Sequence, residues 1–125
     1  MALAEAQATE ARLALLRDCL SADDAARLTR RSRQALERLR RLGRVLALRE
    51  GNQWRYPRWQ FDPDAPGGVL PGLAETLEEL RLSPVGAAFW LNRRVERLRG
   101  TPIQLLRARR VEPVVAAARE QGERP

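Results

Sequence analysis

The 125-residue sequence contains no histidine and only one cysteine, Cys19. Without histidine, the commonest metal ligand and general base are missing, and a single cysteine can form neither an intramolecular disulfide nor a zinc site. The carboxylates are scattered along the chain and form no recognisable catalytic constellation. We therefore expect a protein that is not an enzyme and that binds no metal and no cofactor.

Long apolar runs are absent as well. No run approaches the roughly 20 residues of a membrane span, and the N-terminus lacks a basic region followed by an apolar core. With 44% hydrophobic and 31% charged residues, the composition is that of a globular chain. The sequence therefore predicts a soluble, cytoplasmic protein of one compact domain or two very small ones, with no membrane partner.

Lysine is the third absence, so all 23 basic residues are arginines. This bias, together with the content of Ala, Leu and Pro, indicates a GC-rich bacterial genome. Eleven of the arginines lie in residues 21–61 against four acidic residues, so this segment carries a net charge of +7, equal to that of the whole chain. A basic field confined to one segment is typical of nucleic-acid-binding proteins.

The same segment has the pattern of a helix, a tight turn and a second helix. Ser21 and Asp24 match a helix-start signature, residues 29–31 supply the turn, and Ser32 is a good N-cap for a helix over residues 33–42. At 100° per residue, this second helix has one apolar face, formed by Ala35, Leu36, Leu39 and Leu42. The glycine that follows, Gly43, is a natural helix end.

The opposite face of the second helix carries long polar side chains that could reach base edges in a major groove about 12 Å wide. Arginine suits guanine, glutamine suits adenine, and glutamate suits the cytosine amine. A solvated helix face is the plainer interpretation, but residues 30–44 carry a net charge of +6, which repels itself without an anionic partner. The candidate DNA-binding residues are Arg30, Arg31, Ser32, Arg33, Gln34, Glu37, Arg38, Arg41, Arg44, Arg49 and Arg55.

A β-hairpin is predicted after the second helix, with strands over residues 45–48 and 54–56 and a turn over residues 49–53. A hairpin in this position is a wing, and it would place Arg49 and Arg55 near the DNA backbone. Four aromatic residues follow one another closely here and could stack on bases or form a small core, and we favour the core: Trp54, Tyr56, Trp59 and Phe61.

The two ends of the chain read as helices. Residues 1–20 favour a helix with an apolar edge at Leu13, Leu16 and Leu20, which either forms a dimer or packs on its own domain. Residues 62–70, rich in proline and glycine, predict a linker. Beyond it we expect helices over residues 71–82, 84–98, 102–109 and 113–121, with a core of Phe89, Trp90, Val95, Leu98, Ile103, Leu105, Leu106, Val111, Val114 and Val115.

The C-terminal stretch AAFWLNRRVERLRGTPIQLLRARRVEPVVAAAREQG, residues 87–122, resembles the toxin-binding domain of Xre/MbcA/ParS-type antitoxins. The resemblance rests on Trp90-Leu91, on the run from Leu98 to Leu106, and on the later Val114 and Gly122. It implies a homodimer that neutralises a RES-type toxin by contact and represses its own operon. The partner-binding residues it implies are Trp90, Leu91, Leu98, Thr101, Pro102, Leu105 and Leu106.

The preceding stretch GRVLALREGNQWRYPRWQF, residues 43–61, resembles the winged helix-turn-helix of excisionase- and MerR-like proteins. We therefore predict a mainly α protein with an N-terminal helix (1–20), a winged helix-turn-helix with a short β-hairpin (21–61), a linker (62–70) and a small helical dimerisation and partner-binding domain (71–125). The predicted function is that of an antitoxin-like transcriptional regulator reading double-stranded DNA with the helix near 32–42. The alternative is an interaction module whose main task is toxin neutralisation.

Overall fold

The computed structural model describes residues 2–124, which form seven α-helices and one small antiparallel sheet. The helices are α1 (Ala2–Arg17), α2 (Ala22–Thr29), α3 (Arg33–Arg41), α4 (Leu73–Leu80), α5 (Pro84–Asn92), α6 (Pro102–Arg107) and α7 (Val111–Gly122). The strands are β1 (Cys19–Leu20), β2 (Leu48–Glu50) and β3 (Gln53–Pro57), in the order β1-β3-β2. The predicted mainly α class is confirmed. Over this range the helices are too short or too polar to cross a bilayer.

Strand β1 was not predicted from the sequence. Cys19 and Leu20 were expected on the edge of a helix, but α1 ends at Arg17, and the two residues pair with Pro57 and Tyr56 of β3. This pairing buries the Leu20 side chain against the first hydrophobic cluster of the protein. Burial in tertiary contacts has overridden the helical propensity of the preceding residues.

The first predicted strand of the hairpin is displaced. It begins at Leu48 and not at Val45, because the backbone of Leu46 bonds to a side chain instead of a strand. The fully buried Gln60 carboxamide accepts from the Leu46 N–H at 2.7 Å and donates to the Leu46 carbonyl at 2.8 Å. It also donates to the Pro57 carbonyl at 3.1 Å. One side chain therefore satisfies three backbone groups that would otherwise be buried without partners.

Two hydrophobic clusters meet at this point. The first contains Leu20, Ala25, Leu36, Val45, Ala47, Tyr56 and Phe61. The second contains Leu46 together with buried residues of α4 to α7, and Val69 packs against both. Since Leu46 belongs to one cluster and its neighbours Val45 and Ala47 belong to the other, the two clusters share the 45–47 segment.

The predicted C-terminal core is largely confirmed. Six of its residues are buried: Trp90, Leu98, Ile103, Leu105, Leu106 and Val114. Val95 and Val111 are partly buried against the same cluster, and Val115 is half-buried. Phe89 was wrongly placed, since 42% of it is exposed while Ala88 and Trp90 on either side of it face inward.

Helix α5 is shorter than predicted. It ends at Asn92, and Arg93 already has extended backbone angles. The Val95 N–H then donates to the Gly100 carbonyl at 3.0 Å, and a 3-10 turn over Glu96–Leu98 connects the two. Arg99 closes this turn in the left-handed region, as Arg30, Arg81 and Arg109 do elsewhere. Helix α6 begins with a capping box between Thr101 and Gln104, as the Thr-Pro pair predicted.

The proline- and glycine-rich segment after Phe61 is folded against the rest of the protein. The Asp62 N–H donates to the Gly68 carbonyl at 2.9 Å, and the Leu70 N–H donates to the Gln60 carbonyl at 2.9 Å. Gly68, at φ +76°, lies so close to α2 that a Cβ atom would sit 2.7 Å from the Cα of Thr29. We call residues 62–72 the crossing loop, because they run from the first cluster to the second.

An ion pair ties the crossing loop to the turn between α6 and α7. Asp62 accepts from Arg109 at 2.6 Å and from the Asp64 backbone N–H at 2.9 Å. These hydrogen bonds, first of all that of Arg109, lower the pKa of the Asp62 carboxyl. In the same region Arg107 donates to the Trp59 carbonyl at 2.7 Å.

We predict that Gln60→Leu, which keeps the side-chain volume, lowers the free energy of unfolding by about 3 kcal/mol. The reason is that the Leu46 and Pro57 backbone groups lose their partner inside the protein. Urea denaturation followed by circular dichroism measures the change. Gln7→Leu on the exposed part of α1 is the control and should change stability by less than about 0.5 kcal/mol. Equal effects of the two variants would contradict the role given to Gln60.

We also predict that Asp62→Asn destabilises the protein at neutral pH but not in acid. A carboxyl whose pKa is lowered by folding contributes stability above its unfolded pKa of about 3.9, and this contribution disappears as the pH falls through the folded value. The melting temperatures of wild type and variant should therefore differ at pH 7 and converge in acid, once the pH has fallen through the lowered pKa of Asp62. A difference that stays constant with pH would show that the charge of Asp62 is not involved.

Candidate nucleic-acid interface

Helices α2 and α3 both begin at serine N-caps, as predicted. The Ser21 hydroxyl accepts from the Asp24 N–H at 3.1 Å, and the Ser32 hydroxyl accepts from the Ala35 N–H at 3.0 Å. Thr29 was expected in the turn but belongs to α2, where its buried hydroxyl donates to the Ala25 carbonyl at 2.7 Å. Arg30 then ends α2 in the left-handed region.

Helix α3 presents its polar side to solvent. Leu36 is fully buried and Leu39 is half-buried, so the helix is held by this side against the first cluster. Leu42 is 60% exposed and not on the buried face, because α3 ends at Arg41 and Leu42 is its C-cap. All five residues predicted to reach base edges are exposed, and we call them the α3 face: Arg33, Gln34, Glu37, Arg38 and Arg41.

The positive charge around α3 is only partly neutralised. Glu37 lies 3.6 Å from Arg40 and 3.7 Å from Arg41 within the helix. Arg33 lies 3.4 Å from Asp23 of α2. Three exposed arginines form no ion pair with any residue that the structure describes: Arg30, Arg38 and Arg44. Arg33 and Arg41 are exposed, and exposed pairs contribute about 0–1 kcal/mol each, so these two arginines can be released at little cost.

Arg31 differs from the other candidate residues because its side chain is used within the protein. It is half-buried, and its Nε donates to the Gly67 carbonyl of the crossing loop at 2.7 Å. The structure therefore places Arg31 beside the α3 face but engages it in holding the turn between α2 and α3 to the crossing loop.

The two candidate arginines of the hairpin lie in different surroundings. Arg55 pairs with Glu50 across the β2–β3 ladder at 2.9 Å and is half-buried. Arg49 is exposed, and its Nε donates to the Gly51 carbonyl at 3.0 Å. Arg12 of α1 donates to the Arg49 carbonyl at 3.0 Å, which attaches the N-terminal helix to the hairpin. Of the pair, Arg49 is the more available to a ligand.

Sequence reasoning missed the part that Arg40 plays. Its guanidinium lies 4.0 Å from the centroid of the Trp54 ring, and that of Arg49 lies 5.1 Å from the same centroid. The Arg40 side chain is only 18% exposed, and its Nε is buried with no hydrogen-bond partner among residues 2–124. This cation–π contact fixes the hairpin to α3. No local sequence pattern predicts the Arg40–Trp54 contact, because the two residues are separated by a turn and a strand.

The other aromatic residues behave as the core interpretation predicted. Tyr56 and Phe61 are buried with their ring centroids 6.4 Å apart, and burial raises the pKa of Tyr56. Trp54 and Trp59 are half-buried and pack on the first and second clusters, respectively. The aromatic side chains therefore fasten the hairpin and its continuation to the body of the protein.

A polar cleft of about 460 Å³ separates α2 and α3 from the tip of the hairpin. Its walls include Asp23 from α2, Arg33 and Glu37 from α3, and Gln53 and Trp54 from the hairpin. We call it the α3–hairpin cleft. It brings two residues of the α3 face together with amide and aromatic groups that are distant in the sequence.

The predicted partner-binding residues lie inside the C-terminal half. Thr101 caps α6 through its hydroxyl, which accepts from the Gln104 N–H at 3.1 Å. The other six are buried in the helical core: Trp90, Leu91, Leu98, Pro102, Leu105 and Leu106. Their side chains hold α5 and α6 in place, and a partner could touch them only if these helices moved apart.

The described residues contain no cluster of carboxylates, cysteine or histidine suited to a metal ion. The Cys19 thiol is half-buried and donates to the Leu15 carbonyl at 3.3 Å. Burial raises the pKa of Cys19 to about 11, which keeps the thiol protonated and unreactive at neutral pH. No protein-family model, curated protein sequence or solved structure matches the chain.

The contribution of the α3 N-cap to stability can be tested directly. We predict that Ser32→Ala lowers the free energy of unfolding by about 1 kcal/mol, because the Ala35 N–H loses its acceptor. Ser32→Thr keeps a hydroxyl at the same position and should cost much less. Chemical denaturation of the three proteins measures the difference, and a loss as large in the threonine variant would mean that the cap is not the cause.

Proposed function

We propose that the protein is a DNA-binding transcriptional regulator of the bacterial cytoplasm, with a winged helix-turn-helix formed by α2, α3 and the β2–β3 hairpin. Helix α3 would enter the major groove, and the hairpin would serve as the wing. The observation that carries the proposal is the α3 face, on which Arg33, Gln34, Glu37, Arg38 and Arg41 are all exposed while Leu36 is fully buried. These are the side-chain types that read base edges in a major groove.

The distribution of charge supports DNA over an ordinary solvated surface. Residues 62–125 contain ten arginines and nine acidic residues. There, arginines pair with acids from other elements, as Arg119 does with Glu79 and Arg97 with Glu120. Residues 30–44 contain seven arginines and a single acid. A surface with so few internal counterions suits a polyanion, whose phosphates would release their own counterions on binding.

The candidate residues would divide into two groups. Arg33, Gln34, Glu37, Arg38 and Arg41 would face the bases, whereas Arg30, Arg44 and Arg49 lie at the ends of α3 and on the hairpin, where a phosphate backbone would pass. Arg31 and Ser32 would contribute chiefly by holding α3 in place. A homodimer would present two such units to half-sites about one helical turn apart.

Neutralisation of a RES-type toxin, the alternative implied by the C-terminal resemblance, would need a different contact surface from the one predicted. Six of the seven residues expected to touch the toxin are buried. Exposed residues of the same helices, such as Phe89, are the groups that a protein partner could reach. We therefore place DNA binding first.

The triple variant Arg33→Ala, Arg38→Ala and Arg41→Ala tests the proposal. Binding to a 20-base-pair duplex of random sequence, measured by fluorescence anisotropy, should weaken on the order of 100-fold because three charged contacts are lost. On a duplex without the preferred bases these arginines would lie against phosphates, so the slope of log affinity against log salt should fall by about 2 to 3.

The matched control removes three exposed arginines of the C-terminal half, in the variant Arg93→Ala, Arg94→Ala and Arg124→Ala. It changes the net charge by the same amount but leaves the α3 face intact. Affinity and salt slope should then stay close to those of wild type. If both triple variants lose the same affinity, only net charge matters and the assignment of α3 as the reading helix fails.

A further inference from the structure

We infer that Asp23 is a positioning residue that holds Arg33 in the free protein and thereby weakens binding to DNA of arbitrary sequence. The inference rests on the proposed function and adds a determinant of selectivity to it. A carboxylate is favoured in the first turn of any helix, but the position of Asp23 in the α3–hairpin cleft also brings it to Arg33.

The geometry links two helices across the α3–hairpin cleft. Asp23 lies in the first turn of α2, Arg33 lies in the first turn of α3, and their charged groups are 3.4 Å apart. Both side chains line the cleft and are about two-thirds exposed, at 64% and 66%. Within residues 2–124, Arg33 is the only arginine of the α3 face whose ion pair is with another helix, since Arg41 pairs inside α3 and Arg38 has no pair.

The consequence follows from how the ligands of one guanidinium differ in charge. A phosphate bound to Arg33 would place a second negative charge beside the Asp23 carboxylate, so the two anions repel each other and the backbone contact is opposed. A guanine at the right position offers two neutral acceptors, O6 and N7, and the guanidinium, with five N–H donors, can bind both while it keeps its pair with Asp23. Asp23 therefore lowers the affinity for random DNA more than the affinity for a preferred sequence.

The strength of exposed ion pairs limits how much Asp23 can change the affinity for random DNA. Such pairs contribute up to about 1 kcal/mol, which corresponds to about a fivefold change in affinity. An effect of this size is small for overall binding but large for a regulator, because random DNA is present in great excess over any preferred site.

The adjacent residue provides an internal control. Asp24 also lies in the first turn of α2 and also pairs with an arginine, Arg27, at 3.0 Å. That pair lies within α2, and neither of its members lines the α3–hairpin cleft. Asp23→Asn and Asp24→Asn therefore change the net charge and the first turn of α2 alike, and they differ in whether Arg33 is released.

The experiment measures binding of the full-length variants to a 20-base-pair duplex of random sequence and to the tightest duplex that wild type selects from a random pool. Asp23→Asn should bind the random duplex about two- to fivefold more tightly than Asp24→Asn does. The ratio of affinities for selected and random duplexes should fall by a similar factor. Asp23→Glu, which keeps the charge, should return both values toward wild type.

The same substitution made together with Arg33→Ala tests whether Asp23 acts through Arg33. In proteins that carry Arg33→Ala, the gain from Asp23→Asn should disappear. A gain that persists there, or equal affinities of Asp23→Asn and Asp24→Asn, overturns the inference while leaving the proposed function in place. If wild type itself binds no duplex, the proposed function fails and the inference fails with it.

Discussion

The carboxamide of Gln60 is the contact on which the arrangement of the two halves depends. It is fully buried and bonded to both backbone groups of Leu46, whose side chain lies in the second cluster while those of Val45 and Ala47 lie in the first. A strand partner could satisfy the same backbone groups, but it would add another strand at this junction. A side-chain amide satisfies them in little space, and this lets the two clusters touch.

The candidate DNA surface follows from this arrangement and from the contacts of α3. Leu36 holds one side of the helix against the first cluster, and Arg40 holds the hairpin through Trp54. What is left exposed on α3 is the set of long polar side chains that has no packing role. The same contacts that stabilise the fold thus select which arginines are free, and they explain why Arg31 and Arg40, although they lie in the same basic run, are engaged within the protein.

Features determined by neighbouring residues could be predicted from the sequence. The caps at Ser21, Ser32 and Thr101 and the exposed side of α3 depend on residues within one or two turns, and all of them were found where expected. Features that depend on distant residues were missed. Strand β1 needs Tyr56, the displaced start of β2 needs Gln60, and the early end of α5 needs the bridge from Val95 to Gly100. The candidate site also combines a predicted local feature with a missed long-range one. The exposed α3 face was predicted, whereas the contact between Arg40 and Trp54 was not.

The crossing loop determines whether the N-terminal half can be separated from the C-terminal helices. Arg31 bonds to Gly67, and Gly68 lies against Thr29, so the loop after the hairpin is part of the structure that surrounds the turn between α2 and α3. A fragment cut at residue 61 would lose both contacts and would expose Leu46, whose packing partners lie in the C-terminal helices. The unit formed by α2, α3 and the hairpin is therefore not portable. Its transplantation into another protein, or exchange of the C-terminal helices by recombination, would require the crossing loop and the residues around Leu46 to be carried or rebuilt together.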